Sequence, residues 1–158
     1  RFSLTRILGR SPVIVSFFCG HWSPYCNLEL RAFNALLPKI QALGARFIPV
    51  VGQDADLNFS TQRCNRLSYT LFSDPELTAA RACGLVMTLP EVMTDAMEQL
   101  GLDLPGYVHG RPYEMSMPAS FLIDKQGKIA YAFVDEDFRH RAEPEALLNA
   151  LQLLQPVC

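Results

Sequence analysis

The sequence predicts an α/β domain: a central mixed β-sheet with helices on both faces, and an inserted helix and loop segment before a C-terminal hairpin. Three observations carry this. In the first half, short apolar runs alternate with amphipathic helical patterns, which implies parallel strands joined by right-handed crossovers. In the second half, two β-rich runs flank the turn Asp124-Lys125-Gln126-Gly127, the mark of an antiparallel hairpin. No repeat, low-complexity tract or linker interrupts the chain, so residues 1–158 are read as a single domain.

Phe2 to Leu8 is a short amphipathic lead-in, broken by Ser11-Pro12. Val13 to Phe18 is almost continuously apolar, as a strand buried on both faces is. A helix follows, with Ser23 as N-cap and Pro24 at its first position, where the missing N–H costs nothing. Leu30, Phe33, Leu37 and Ile40 fall on one side of it; Pro38 is expected to kink it and Gly44 to end it. Phe47 to Val51 is a second buried strand that ends at Gly52-Gln53-Asp54, and a helix follows to about Leu67. Tyr69 to Phe72 reads as a short strand. Asp74 and Pro75 then start a helix of three turns, closed by Gly84. The least regular stretch, 86–116, holds an amphipathic helix from Glu91 to Leu100 and a Gly/Pro-rich loop from Pro105 to Pro112. Ala119 to Ile123 and Lys128 to Val134 form the hairpin. Glu143-Pro144-Glu145 begins a last helix with Leu147, Leu148, Leu151 and Leu154 inward, stopped by Pro156.

Composition narrows the function. The chain is 49% hydrophobic and 19% charged with net charge −2, so nothing electrostatic favours nucleic acid or an anionic membrane. No apolar run approaches the roughly 18 residues of a membrane span. Five cysteines at irregular spacing make no disulfide framework, which favours a reducing, cytoplasmic-type compartment. Arg1 stands where a Met would open a complete chain, so residues upstream are expected. His21, His109 and His140 have no ligand spacing, so neither metal nor cofactor is expected.

The chemistry concentrates in Cys19-Gly20-His21-Trp22-Ser23-Pro24-Tyr25-Cys26. Cys26 is the third helical residue, where free N–H groups and the helix dipole favour an anion. A free thiol is roughly 3% thiolate at pH 7, and a helix N-terminus lowers its pKa to roughly 3.5–7.5. The competing reading is an inert core thiol, because Cys26 shares a stripe with Leu30 and Phe33. Trp22 is read as a hydrophobic lid or as core, and Ser23 as a cap. Cys19 is read as core packing, and also as the nearest candidate to resolve an oxidised Cys26. Cys64 and Cys83 are read as structural, Cys158 as exposed and open to adventitious oxidation, and His21 as a solvent-facing loop residue. Met87, Met93, Met97, Met115 and Met117 are read as core filling or as a flexible apolar wall.

The chain resembles the thioredoxin-fold superfamily, and more narrowly the peroxiredoxin-like branch of the alkyl hydroperoxide reductase/thiol-specific antioxidant family. The likeness lies in Trp22-Ser23-Pro24-Tyr25-Cys26, Glu29-Leu30-Arg31, Ser73-Asp74-Pro75, Pro118 to Asp124, Phe133-Val134-Asp135 and Arg141-Ala142-Glu143-Pro144-Glu145. It implies a thioredoxin-like fold and a thiol-dependent antioxidant oxidoreductase that reduces peroxides through Cys26. Ser23 contributes a hydroxyl, Trp22, Pro24, Tyr25, Met117 and Pro118 support the site, and an external thiol is the reductant. A homodimer is the habit of such relatives. Ser23 occupies the family's first cysteine slot, Cys19 that of a basic residue, and Pro118 that of a catalytic arginine. The resemblance therefore implies a cis Met117–Pro118 bond facing Cys26, with only the helix N-terminus left to stabilise the thiolate. Two alternatives stay open: a thiol–disulfide oxidoreductase disabled by Ser23, and a redox-inactive module binding a partner through the loops around Trp22 and Pro118.

Overall fold

The structure is a computed structural model describing residues 9–102 and 113–154. The lead-in before Gly9, the loop from Pro105 to Pro112, His109, Pro156 and Cys158 lie outside the described residues.

β1 (Val13–Phe18) is buried along its whole length and forms the middle of a five-stranded sheet. It pairs in parallel with β2 (Arg46–Val51) and antiparallel with β6 (Ala119–Ile123). β3 (Phe72–Ser73) extends the sheet beyond β2, and β7 (Ile129–Val134) extends it beyond β6, giving the order β3-β2-β1-β6-β7. The helices are α1 (Pro24–Ala42), α2 (Ala55–Asn65), α3 (Thr78–Ala82), α4 (Glu91–Gln99) and α5 (Pro144–Leu153).

Strand alternation divides β1 between two cores. Ile14 and Phe18 meet Leu30, Phe33 and Ile40 of α1 and Leu147 and Leu151 of α5. Val13, Val15 and Phe17 meet Leu77 and Ala80 on the other side of the sheet. Ser16, between Ile14 and Phe18, hydrogen-bonds Ser120 across the β1–β6 pair at 2.7 Å, so neither buried hydroxyl lacks a partner.

Three expectations need correction. The strand expected at Tyr69–Phe72 is only Phe72–Ser73, paired with Val50 and Val51. Pro49 sits just before that pair and has no N–H for a ladder, which limits β3 to the end of β2. The helix expected from Asp74 starts only at Thr78. Leu77 takes a left-handed conformation, φ 52°, that buries its side chain, while the Asp74 carboxylate reaches forward to accept from the Ala79 and Ala80 N–H groups at 3.0 Å each. Asp74 is still the cap, but across a turn. The irregular stretch also contains strands that periodicity does not disclose: β4 (Val86–Thr88) and β5 (Glu114–Ser116) form a separate antiparallel pair.

α1 starts at Pro24, continues through Pro38 to Ala42, and closes over Gly44 at φ +72°. The turn into β7 matches expectation, with Lys128 and Gln126 N–H groups on the Asp124 carboxylate.

Candidate functional site

Cys26 is at the third position of α1. The Ser23 hydroxyl accepts from the Cys26 N–H at 3.3 Å, as an N-cap does. The loop before it is held from α2. His21 N–H donates to Gln53 Oε1 at 2.8 Å, and Gln53 Nε2 is tied to Asn58 and Thr61. Asn27 Nδ2 donates to the His21 and Ser23 carbonyls. His21 is therefore half-buried in this network rather than facing solvent. Gly20 is required by a close approach: a Cβ there would lie 2.8 Å from Trp22 Nε1.

The Cys26 side chain is fully buried, so the sulfur is out of solvent contact. Its surroundings are nevertheless polar on one side. Arg141, from the segment leading into α5, donates Nη2 to Cys26 Sγ at 3.4 Å and to Cys19 Sγ at 3.8 Å. Its Nη1 meets Glu29 Oε2 at 3.1 Å, and its Nε donates to the Phe138 carbonyl at 2.8 Å. The guanidinium is thus locked at three nitrogens. The absence of a stabilising cation, expected from Pro118, is corrected: Arg141 supplies one from a different part of the chain.

Burial pushes the Cys26 thiol up, but the Cys19 thiol, the Arg141 charge, the Gly20 N–H and the Ser23 hydroxyl outweigh it. Together they hold Cys26 well below the ordinary thiol range. Cys19 is held well above it, first because its S–H is given to Cys26 and then by burial. Within the pair, negative charge is favoured on Cys26 and disfavoured on Cys19. Burial raises Glu29 to about 8, against the pull of Arg141.

The other expected residues fall as follows. Trp22 is half-buried and packs on the core that holds Cys26. Pro24 is exposed, and Tyr25 is exposed with its ring edge-on to Phe138 at 6.1 Å. Pro118 is buried between β5 and β6, and Met117 packs into the core on the opposite side of the sheet. Met97 and Met115 fill the core that holds Cys26, with Met87 and Met93 against it. Cys64 and Cys83, expected to be structural, are both exposed. Cys64 lines a 640 Å³ groove between α1 and α2 with Pro24, Leu28 and Arg31. A second groove, 380 Å³, runs along Tyr25, Leu28, Glu29 and Ala32 to Arg141 and Pro144. Among the described residues no group of three or more His, Cys, Asp or Glu is placed to hold a metal ion.

A cysteine at a helix start, buried against an arginine from the segment before α5, is the feature to compare with known proteins. The sequence matches the AhpC/TSA family over residues 1–132. The chain belongs to the AhpC/TSA family. Its fold is thioredoxin-like, as in peroxiredoxins. It is 25% identical over 151 residues to the chloroplastic peroxiredoxin Q of Oryza sativa subsp. japonica, covering 94% of this chain and 59% of that protein. It is 32% identical over 103 residues to the chloroplastic peroxiredoxin Q of Gentiana triflora, covering 63% of this chain and 47% of that one. The chain thus spans about half the length of these relatives. Among solved structures it is similar to the Xanthomonas campestris bacterioferritin comigratory protein, with TM-score 0.73, 18% identity, and 96% of this chain and 84% of that chain covered. The peroxidoxin BcpB from Mycobacterium tuberculosis gives TM-score 0.73 and 19% identity, with 97% and 86% covered. Among the described residues of this AhpC/TSA member, no helix is long and apolar enough to cross a membrane.

Sequence reasoning missed Arg141 and Glu29 as parts of the site. Both stand in segments that carry the family likeness, so they were visible as residues but not as neighbours. They lie 112 positions apart, and no local pattern joins them.

Proposed function

We propose that this protein is a thiol-dependent peroxidase acting through Cys26. One observation carries the proposal: an arginine nitrogen lies 3.4 Å from a sulfur capped at a helix N-terminus. The Cys26 thiolate attacks one peroxide oxygen, the O–O bond breaks, and Cys26 becomes a sulfenic acid. The departing alkoxide or hydroxide takes a proton and leaves as alcohol or water. Arg141 and the positive end of the α1 dipole stabilise the charge that develops on it. The Ser23 hydroxyl helps to orient the thiolate. An external thiol supplies the electrons that restore Cys26. The peroxide approaches along the groove beside Tyr25 and Arg141, and because the sulfur is buried the site must open to admit it.

The test is exposure of the reduced protein to hydrogen peroxide or cumene hydroperoxide with dimedone present, followed by mass measurement. A dimedone adduct on Cys26, lost in Cys26→Ser, is the expected result; an untouched Cys26 defeats the proposal. A second reading, a redox-inactive binding module around Trp22 and Pro118, draws on the complete burial of Cys26 and is what an untouched Cys26 would favour. The third, disulfide exchange disabled by Ser23, is tested by Ser23→Cys and an insulin-reduction assay. Free described cysteines suit a reducing, cytoplasmic-type compartment. A homodimer rests on family habit alone, and sedimentation checks it.

A further inference from the structure

We infer that the groove between α1 and α2 is a binding site for a small organic carboxylate, with Arg31 gripping the carboxylate and Pro24 and Leu28 covering its apolar body. The site is separate from the Cys26–Arg141 pair, and the inference does not depend on the peroxidase reading. At 640 Å³ the groove falls within the roughly 300–1,000 Å³ of small-molecule sites.

The fixed charge in the groove has one sign. Arg31 lines it, and no Asp or Glu does. Three other arginines are matched with carboxylates: Arg81 with Glu114, Arg139 with Asp137, Arg141 with Glu29. Arg31 is held by a neutral amide instead, its Nη1 donating to Asn65 Oδ1 at 2.7 Å. Asn65 Nδ2 donates in turn to Asn27 Oδ1 at 2.7 Å, and Asn27 Nδ2 donates to the His21 and Ser23 carbonyls. These bonds fix the guanidinium from one side. Its other edge, Nε with Nη2, has no partner among the described residues. Two parallel N–H groups on such an edge match the two oxygens of a carboxylate.

The rest of the wall does not compete for that role. The Asn65 amide nitrogen also donates to the Thr61 carbonyl, so both amide nitrogens are fully used. The Ser60 and Thr61 hydroxyls donate back to carbonyls of α2, those of Asp56 and Leu57. The apolar body of the ligand has its own surface. Leu28 is 58% exposed, and on α1 it stands one turn from both Pro24 and Arg31. A hydrocarbon chain running from Arg31 over Leu28 to Pro24 takes that surface out of water. Those ends are about 10 Å apart along the helix, so the body is a chain of several carbons rather than a bare acetate.

The test uses the full chain, labelled with the heavy nitrogen isotope and titrated with hexanoate while side-chain N–H signals are followed by NMR. Saturable shifts are expected at Arg31 Nε–H and at the Asn27 and Asn65 amides. Hexanol, the same body without the charge, should bind about tenfold or more weakly, and acetate should also bind weakly. Arg31→Met keeps the stem and removes the fork, so hexanoate should then bind no better than hexanol. Arg31→Lys should recover part of the preference. If the methionine variant loses the folded backbone spectrum, Arg31→Gln takes its place. Arg46→Met, on β2 and outside the groove, should behave as wild type. Hexanoate binding that is unchanged without the Arg31 charge overturns the inference. So does the lack of a saturable shift at these groups, or their equal response to inorganic phosphate. A peptide with a free C-terminal carboxylate that binds there at least about tenfold more tightly than hexanoate overturns the small-molecule assignment in favour of a partner chain.

Discussion

At the scale of single residues, Arg141 is the centre of the site. Arg141→Met keeps much of the volume but removes the charge beside Cys26. The Cys26 pKa, followed by ultraviolet thiolate absorbance, should rise, and the rate of peroxide consumption should fall by about tenfold for each 1.4 kcal/mol lost. Arg141→Lys keeps a charge without the fork that grips Glu29 and the sulfurs together, so it should rescue only part of the rate. Glu29 provides a separate test through pH. Its pKa is about 8 in the fold against an ordinary 4.5. Its contribution to stability is therefore full below pH 4.5 and is lost as pH rises through about 8. Cys26 runs the other way: its contribution is present above the ordinary thiol pKa and is lost as pH falls through its lowered value. Relative to wild type, Glu29→Gln should gain stability between pH 5 and 8, by at most about 1.4 kcal/mol per pH unit. Denaturant melts across that range measure it, and parallel curves would mean that Glu29 stays ionised throughout.

At the scale of elements, two local devices can be separated from the chemistry. Ser23→Ala removes the cap of α1 and should cost about 1 kcal/mol in thermal or denaturant melts. Ser16→Ala strands the Ser120 hydroxyl in the core and should cost about 1–3 kcal/mol. The double change Ser16→Ala with Ser120→Ala should cost less than the two single changes added, since no buried hydroxyl is left alone. The contrast between α1 and α3 shows what is legible at this scale. The start of α1 was readable because Ser23 caps a residue three positions away. The start of α3 was misread because Leu77 adopts a left-handed conformation to reach the core, and propensity does not anticipate that. β3 was misplaced because its length depends on a proline in a neighbouring strand.

At the scale of the molecule, the site stands where β1, α1 and the segment before α5 converge. Leu147, fully buried in the core shared by α1 and α5, anchors the helix that follows Arg141. Leu147→Ala should cost about 2–5 kcal/mol and should also raise the Cys26 pKa, by loosening the support of the guanidinium. Val15→Ala, in the other core, should destabilise the fold and leave the Cys26 pKa nearly unchanged. Equal effects of both changes on the thiolate would mean that the position of Arg141 does not depend on α5.

The sequence by itself determined the strand–helix alternation, the hairpin, the capped start of α1 and the place of Cys26 in its first turn. These are properties of neighbouring residues: apolar period, turn chemistry, a cap three positions from its partner. Only the tertiary structure decided that Cys26 is buried, that Cys19 lies beside it, and that Arg141 and Glu29 complete the site. Those facts join residues as far as 122 positions apart, and such pairs meet only when sheet order and helix packing bring separate segments together.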